Sequence, residues 1–161
     1  MMADVFTKAK RSWVMSRIRG RDTCPERTVR SFLHRHGFRF RLHAKSLPGR
    51  PDIVLPKYRT AIFVNGCFWH HHPKCKHAVY PKNRRRFWQL KIDGTVARDK
   101  RVVKSLHKLG WRVITVWECQ IEGRTSQLHG LVFEMKGGKA QKRSNSLLRS
   151  IGTSDPAEKI A

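Results

Sequence analysis

Short apolar runs joined by polar turns mark the strands of this chain. The runs Ile53–Leu55 and 61–64 (AIFV) are separated by the polar stretch 56–59 (PKYR). Two such runs joined by a short polar gap are typical of a β-hairpin of buried strands. The alternating stretch 38–42 (FRFRL) predicts a strand with one basic face. The stretch 111–119 (WRVITVWEC), rich in β-branched and aromatic residues, predicts another strand.

Helical spacing of apolar residues appears on both sides of the hairpin. Thr23 fits an N-cap and Glu26 closes a capping box, so a helix is predicted to begin there and to stop near Gly37. A second helix is predicted from a Thr95 cap to Gly110, and a third over about 126–135. Helices alternating with strands predict an α/β fold with a central mixed sheet flanked by helices.

The net charge of the chain indicates what kind of partner it binds. The 161 residues suit one core-forming domain, and 35 Lys and Arg against 11 Asp and Glu give a net charge of +24. Such a charge favours nucleic acid as a partner, although a ribosomal-type basic protein would share it. We expect a basic DNA-binding arm at 1–21, one domain at 22–135, and a Gly-, Ser- and Lys-rich disordered tail at 136–161.

Neither a membrane-spanning segment nor the apolar region of a signal peptide is evident. We therefore expect a cytoplasmic, nucleoid-associated monomer. In the cytosol four cysteines stay reduced, so that metal binding is favoured over disulfides.

Cysteine and histidine are concentrated just after the hairpin. Cys67, His72 and Cys75 lie within nine residues, and Cys119 ends the predicted strand 111–119. Three thiolates and one imidazole would give a closed tetrahedral zinc site. His71 and His77 compete with His72 as the imidazole ligand, and any of these cysteines would also fit a small buried apolar position.

An acid stands at the start of the hairpin and a histidine follows its end. Asp52 with His70, and with Glu26 and Asp99 as further acids, would combine a magnesium ligand with a general base. Phosphodiester hydrolysis needs both, because the phosphate charge must be neutralised and a water activated. Glu26 fits a helix cap equally well, and a lone acid before a strand is often a turn residue.

Basic and aromatic residues adjoin elsewhere. The run Arg84, Arg85 and Arg86 leads into Trp88, a combination suited to nucleic acid. In the basic arm, Met15 and Ile18 are available to wedge against bases when the arm orders on DNA.

Several blocks together resemble the very short patch repair (Vsr) endonucleases. They are SLPGRPD at 46–52, FVNGCFWH at 63–70, RD at 98–99, GWRV at 110–113, WEC at 117–119 and the opening stretch 11–26. The resemblance covers about residues 4–135. It implies a restriction-endonuclease-like core that nicks DNA 5′ to the thymine of a T:G mismatch. Such mismatches arise when 5-methylcytosine is deaminated.

The resemblance also implies residue roles. Asp52 and the backbone carbonyl of Val64 would hold magnesium, His70 would be the catalytic histidine, and Asp99 and Glu26 would be supporting acids. The structural zinc would be held by Cys67, His72, Cys75 and Cys119. The aromatic residues that insert beside the mismatch would be Phe68, Trp69 and Trp88, helped by Met15.

Two other functions fit many of the same residues. One is a related nuclease without mismatch selectivity, and the other is a zinc-stapled DNA-binding protein without catalysis. The nickase is favoured because a pure binding module has no need of an acid beside a histidine. General mismatch-repair proteins are further possible partners.

Overall fold

The computed structural model describes residues 7–17, 20–121 and 126–135. Its helices are α1 (Lys8–Arg17), α2 (Cys24–Arg35), α3 (Arg85–Lys108), α4 (Glu118–Ile121) and α5 (Ser126–Met135). Its strands are β1 (Arg41–Leu42), β2 (Ile53–Leu55), β3 (Thr60–Asn65) and β4 (Arg112–Trp117). A 3₁₀ turn, Pro56–Tyr58, closes the predicted hairpin between β2 and β3.

The four strands form one mixed sheet in the order β1-β2-β3-β4. The pairs β1/β2 and β2/β3 are antiparallel, whereas β3 and β4 are parallel, with Asn65 opposite Trp117. A parallel pair needs a long crossover, which α3 supplies. The predicted α/β class with a mixed sheet is confirmed. The topology brings the ends of β3 and β4 and the start of β2 to one edge of the sheet.

Helices cover both faces of this sheet. On one face, α2 and α5 pack on β2, β3 and β4 through a large cluster that includes Phe32, Leu33, Ile62 and Leu128. On the other face, Leu106 of α3 is fully buried in a smaller cluster of apolar residues from β3 and β4. Two covered faces leave the sheet edge as the accessible place for a site.

The cap predicted for α2 is confirmed. The Thr23 hydroxyl accepts the Glu26 N–H at 3.4 Å, and the Glu26 carboxylate accepts the Thr23 N–H at 3.4 Å. The helix ends at Arg35, and Gly37 follows with φ +82°, a left-handed conformation that favours glycine. Glu26 is thereby held in one orientation. The helix predicted over 126–135 is also confirmed as α5.

Three predicted boundaries are wrong. Helix α3 begins at Arg85, and Thr95 lies inside it with its hydroxyl donating to the Lys91 carbonyl at 3.1 Å. Its N-terminal half is mostly exposed, so it lacks the periodic apolar pattern that would reveal a helix. The strand predicted over 38–42 keeps only Arg41–Leu42, since Phe38 enters the core. Cys119 lies in α4 because β4 already ends at Trp117.

The N-terminal arm contains helix α1, where the Arg17 guanidinium lies 4.2 Å from the ring centre of the exposed Trp13. Ile18 lies outside the described residues, as do the side chain of Met15 and the predicted tail at 136–161. Across the described part of the chain, no helix is both long and apolar enough to cross a membrane.

Candidate active site and metal cluster

A cavity of about 820 Å³ opens at the sheet edge where β3 and β4 end and β2 begins. Four of the chain's 11 acidic residues line it: Glu26, Asp52, Asp99 and Glu118. Acidic residues are few in this protein of net charge +24, so four of them around one cavity are more than an even distribution over the surface would place there. It marks a place suited to a cation.

Asp52 directly precedes β2, and the antiparallel register brings it beside the C-terminal half of β3. Its Oδ2 accepts the Val64 N–H at 2.8 Å, and its Oδ1 lies 3.9 Å from His43 Nδ1. Burial raises the pKa of the Asp52 carboxyl, only partly opposed by the Val64 N–H, and the Glu26 charge raises it further. An ionised Asp52 therefore gains from a bound cation.

His70 follows β3 on a tight turn in which its N–H donates to the Gly66 carbonyl at 3.2 Å. Its Nδ1 lies 2.5 Å from Asp99 Oδ2, and Arg98 donates to the other Asp99 oxygen at 3.1 Å. Because an ionised carboxylate only accepts, Nδ1 carries the hydrogen of this bond and Nε2 is left as an acceptor. Asp99 of helix α3 thus holds the His70 ring at the wall of the cavity.

Glu26 lines the same cavity with only 3% of its surface exposed. Its Oε2 accepts from Arg30 Nη2 at 2.6 Å, in addition to the cap contacts with Thr23. The two roles left open by the sequence are therefore compatible in space, because the cap fixes the carboxylate at the wall of the cavity.

Beside the cavity, three side chains with metal-ligating atoms lie close together. These atoms of Asp22, Glu26 and His43 are all within 4.8 Å of one another. The Arg30 guanidinium contacts all three, with an ion pair to Asp22 and an Nη2–Nε2 distance of 3.0 Å to His43. A guanidinium already supplies the positive charge here, so this group is an ion-pair network rather than a metal site.

Cys67, His72, Cys75 and Cys119 converge, with all four ligand atoms within 4.8 Å of one another. The Cys75 and Cys119 sulfurs are 3.8 Å apart, and His72 Nδ1 lies 3.6 Å from Cys67 Sγ and 3.4 Å from Cys119 Sγ. Tetrahedral zinc, with bonds of about 2.3 Å to sulfur and about 2.0 Å to nitrogen, requires separations of about 3.8 and 3.5 Å. The donor set and its spacing fit zinc.

The turn after β3 builds this cluster locally. The His72 N–H donates to the Cys67 carbonyl at 3.0 Å, and the His72 ring stacks on Trp117 at 4.2 Å with 9° between the planes. Burial, together with hydrogen bonding from the neighbouring Cys67 sulfur, raises the pKa of the Cys119 thiol to about 12. Three adjacent thiols ionise together only when a cation offsets their charge.

The competing histidines lie elsewhere. The His71 ring packs against Tyr80, with 4.7 Å between ring centres, and His77 is exposed. Neither belongs to the group of four metal-ligating residues found among the described residues.

Large rings stand between the two sites. Phe68 and Trp69 occupy the chain between Cys67 and His70, and their ring centres lie 5.5 and 6.0 Å from that of Trp88 on α3. Phe87 adds an exposed ring 5.4 Å from Trp88. We call these four residues the aromatic cluster. It is half-exposed rather than part of either core, as expected of rings that meet a ligand.

Basic groups border the aromatic cluster. Lys91 Nζ lies 5.4 to 5.9 Å from the ring centres of Trp69, Phe87 and Trp88. The predicted basic run Arg84, Arg85 and Arg86 is exposed at the start of α3, and the Arg84 guanidinium lies 4.9 Å from the Phe87 ring centre. Positive charge beside aromatic rings is the pattern of nucleic-acid surfaces.

Comparison with known proteins now decides the family. The family described as DNA mismatch endonuclease Vsr matches residues 3–77. DNA mismatch endonuclease Vsr of Escherichia coli (strain K12) is 50% identical over 123 residues, covering 76% of this chain and 78% of the relative. The chain belongs to the Vsr family. The resemblance inferred from its motifs is confirmed.

Two further relatives carry names that describe the reaction. Type II nicking enzyme V.XorIIP of Xanthomonas oryzae pv. oryzae is 47% identical over 74% of this chain and 88% of its own length. Type II nicking enzyme V.NmeAIP of Neisseria meningitidis is 44% identical over 84% of this chain and 98% of its own length. This Vsr-family protein is a DNA endonuclease, as predicted.

Several residues of the Vsr site escaped sequence reasoning. Phe87 and Glu118 adjoin residues that were identified, Trp88 and Cys119, so proximity in sequence was an available signal. His43 offered none, because it reaches the cavity only through its contact with Arg30 of α2, far away in sequence.

Proposed function

We propose that this Vsr-family endonuclease nicks one strand of duplex DNA on the 5′ side of the thymine in a T:G mismatch. The reaction would use magnesium, with zinc as a structural ion. The observation that carries the proposal is the meeting of Asp52 and the His70–Asp99 pair in one cavity beside the aromatic cluster. Relatives named as a mismatch endonuclease and as nicking enzymes agree with it.

The donors in the cavity suit a hard cation. Asp52 offers one carboxylate oxygen that the Val64 N–H does not occupy, and the backbone carbonyl of Val64 is the second ligand we propose. Magnesium takes few protein ligands and keeps several waters, for which a cavity of about 820 Å³ has room. When bound, magnesium would neutralise charge on the scissile phosphate.

His70 takes the role of general base. A water oxygen bonds to phosphorus as the bond from phosphorus to the leaving sugar oxygen breaks. His70 Nε2 accepts the proton of the attacking water, and the leaving sugar oxygen takes up a proton from solvent water. Asp99 holds the imidazole in the tautomer that leaves Nε2 free, and it stabilises the charged ring after proton transfer. Glu26 would support the ionised Asp52 only through the Arg30 and His43 network, since its own charge opposes that of Asp52.

The aromatic cluster supplies mismatch selectivity in this proposal. Insertion of Phe68, Trp69 and Trp88 between bases costs a few kcal/mol of stacking, and less at a mispair than in a matched duplex. His70 directly follows Trp69 in the chain. An inserted Trp69 ring would therefore fix the distance from the mismatch to His70, the general base. Met15 in the arm would help these aromatic residues as a further wedge.

Zinc at Cys67, His72, Cys75 and Cys119 would secure this arrangement. It would tie the turn that carries the rings and His70 to the end of β4. The remaining positive charge, including Arg84, Arg85 and Arg86 and the arm at 1–21, would bind phosphates and release counterions.

A strand-resolved nicking assay tests the proposal. Duplexes with a T:G pair or a T:A pair at the same place, labelled separately on each strand, are incubated with magnesium or with a chelator. We expect a single nick 5′ to the thymine, only in the T:G duplex and only with magnesium. Equal cutting of both duplexes would support a nuclease without mismatch selectivity. Binding without cutting under every metal tested would support the non-catalytic alternative.

A further inference from the structure

Glu118 is an acidic residue that lines the cavity of a strongly basic protein. It is the first residue of α4, directly after β4, and its side chain is half-buried at the wall of the cavity. Within the described residues its carboxylate makes no hydrogen bond and no ion pair, unlike Glu26 and Asp99 in the same cavity. A free carboxylate here would repel a DNA phosphate, so its position calls for a cation.

The sheet places Glu118 and Asp52 on opposite sides of β3. Trp117 is the register partner of Asn65, so Glu118 comes one residue further along, beside Gly66. Asp52 lies on the other neighbour of β3 and bonds to Val64. With neighbouring strands about 4.8 Å apart, the two backbones stand roughly 10 Å from each other. Both acids line the cavity.

The Glu118 side chain lies beside Gly66. A Cβ built on Gly66 would lie 3.5 Å from Glu118 Oε2 and 3.3 Å from a ring carbon of Trp69. The carboxylate therefore lies beside the backbone that follows the last residue of β3. A simpler role, as an acid in the first turn of α4, would involve a helix of only four residues.

We infer that Glu118 completes the cation site of the cavity by holding a water of the hydrated ion that Asp52 binds. This inference rests on the proposed magnesium-dependent reaction. Magnesium retains several waters, so an acid on the other side of β3 from Asp52 can reach the same ion through one water. Glu118 is thus a positioning residue, which orients the hydration shell and leaves direct ligation to Asp52.

Metal binding to the full-length, zinc-loaded protein tests this without relying on activity. Manganese(II) is titrated and free ion is followed by electron paramagnetic resonance, with magnesium as competitor. Glu118→Gln keeps shape and removes charge, and we expect it to weaken binding by about tenfold or more. Glu118→Asp keeps the charge on a shorter side chain, so its manganese affinity should lie between those of the parent protein and Glu118→Gln. The matched control is Asp93→Asn, an exposed acid on α3 that bonds to Tyr80 outside the cavity and should leave the affinity unchanged.

Nicking assays complete the test. In Glu118→Gln the magnesium concentration for half-maximal rate should rise by about tenfold, while the rate at saturating magnesium returns to near that of the parent protein. Unchanged manganese affinity in folded Glu118→Gln, with binding lost in Asp52→Asn, would overturn the role of Glu118 and leave the proposed function standing. No manganese binding and no magnesium-dependent nicking by the parent protein would overturn both.

Discussion

The molecule contains two places suited to a cation, and they differ in how complete they are. The cluster of Cys67, His72, Cys75 and Cys119 brings three sulfurs and one imidazole nitrogen within 4.8 Å, which is enough to complete a tetrahedral shell. The cavity spreads hard oxygen donors around about 820 Å³. A filled shell leaves no position for substrate, whereas an open one admits water and phosphate. In the proposed function, this difference separates a site that stabilises the fold from a site that performs chemistry.

One short segment nevertheless serves both sites. Between residues 66 and 72 it supplies Cys67 and His72 to the cluster, His70 to the cavity, and Phe68 and Trp69 to the aromatic cluster. Loss of the cluster of cysteines and histidine should therefore remove the site in the cavity as well. Loss of the site in the cavity should leave the cluster intact. This asymmetry can be tested by substitution.

The largest effect is expected from Cys119→Ser. It would detach the turn after β3 from the end of β4 and remove metal-binding free energy of about 10–16 kcal/mol, which is comparable to the whole stability of a domain. We expect an unfolded or strongly destabilised protein without zinc, measured by circular dichroism and metal analysis. Cys24→Ser changes an exposed cysteine outside the cluster and should have little effect. A native protein that contains no zinc would contradict the prediction.

Asp52→Asn should remove activity and leave the fold. We expect nicking to fall by about 1,000-fold or more, because the variant loses the charge that holds magnesium. Zinc content and binding to matched DNA should not change. Substantial nicking by the purified variant at saturating magnesium would remove Asp52 from the cation site.

The same variant should not be less stable than the parent protein when no divalent cation is added. Burial raises the pKa of the folded Asp52 carboxyl, so its ionised form costs stability at neutral pH. Asparagine avoids this cost. The advantage should fade as the pH falls through the raised pKa, where the parent carboxyl also becomes neutral. Thermal unfolding at several pH values measures this, and a midpoint well below that of the parent at neutral pH would contradict it.

Asp99→Asn should have a smaller effect within the cavity. It replaces the acceptor of the 2.5 Å contact with His70 and allows the wrong imidazole tautomer. We expect a loss of roughly 100- to 10,000-fold in single-turnover nicking, with DNA and manganese binding retained. An equal loss of manganese binding would instead make Asp99 part of the cation site.

The smallest effect is expected where the two sites meet, in the aromatic cluster. Trp88→Ala should reduce nicking of T:G DNA about tenfold more than it reduces binding to matched DNA, because one base-stacking contact is lost. Trp13 is an exposed tryptophan of α1 outside the cluster. Trp13→Ala should therefore reduce nicking of T:G DNA and binding to matched DNA by the same factor. Proportional losses in Trp88→Ala too would make its ring a general DNA contact.

Local pattern was enough to predict the hairpin, the cap of α2 and the residue types of both sites. Asp52, His70 and the cysteines stand out because their chemistry is unusual at those spacings. The start of α3 was not predictable in this way. Its first turns, with Arg85, Phe87 and Leu90 exposed, bury almost nothing and so leave no apolar period to read.

The sequence by itself determined the Vsr family, the α/β class and which residue types would do the chemistry. Only the tertiary structure placed His72, and not His71 or His77, beside the three cysteines. It also paired His70 with Asp99 across 29 positions and brought Glu118 to the cavity. The physical reason is that caps and hairpins are closed by neighbours along the chain. Contacts between β3, β4 and α3 depend instead on strand register and on how the crossover packs, which local spacing does not encode.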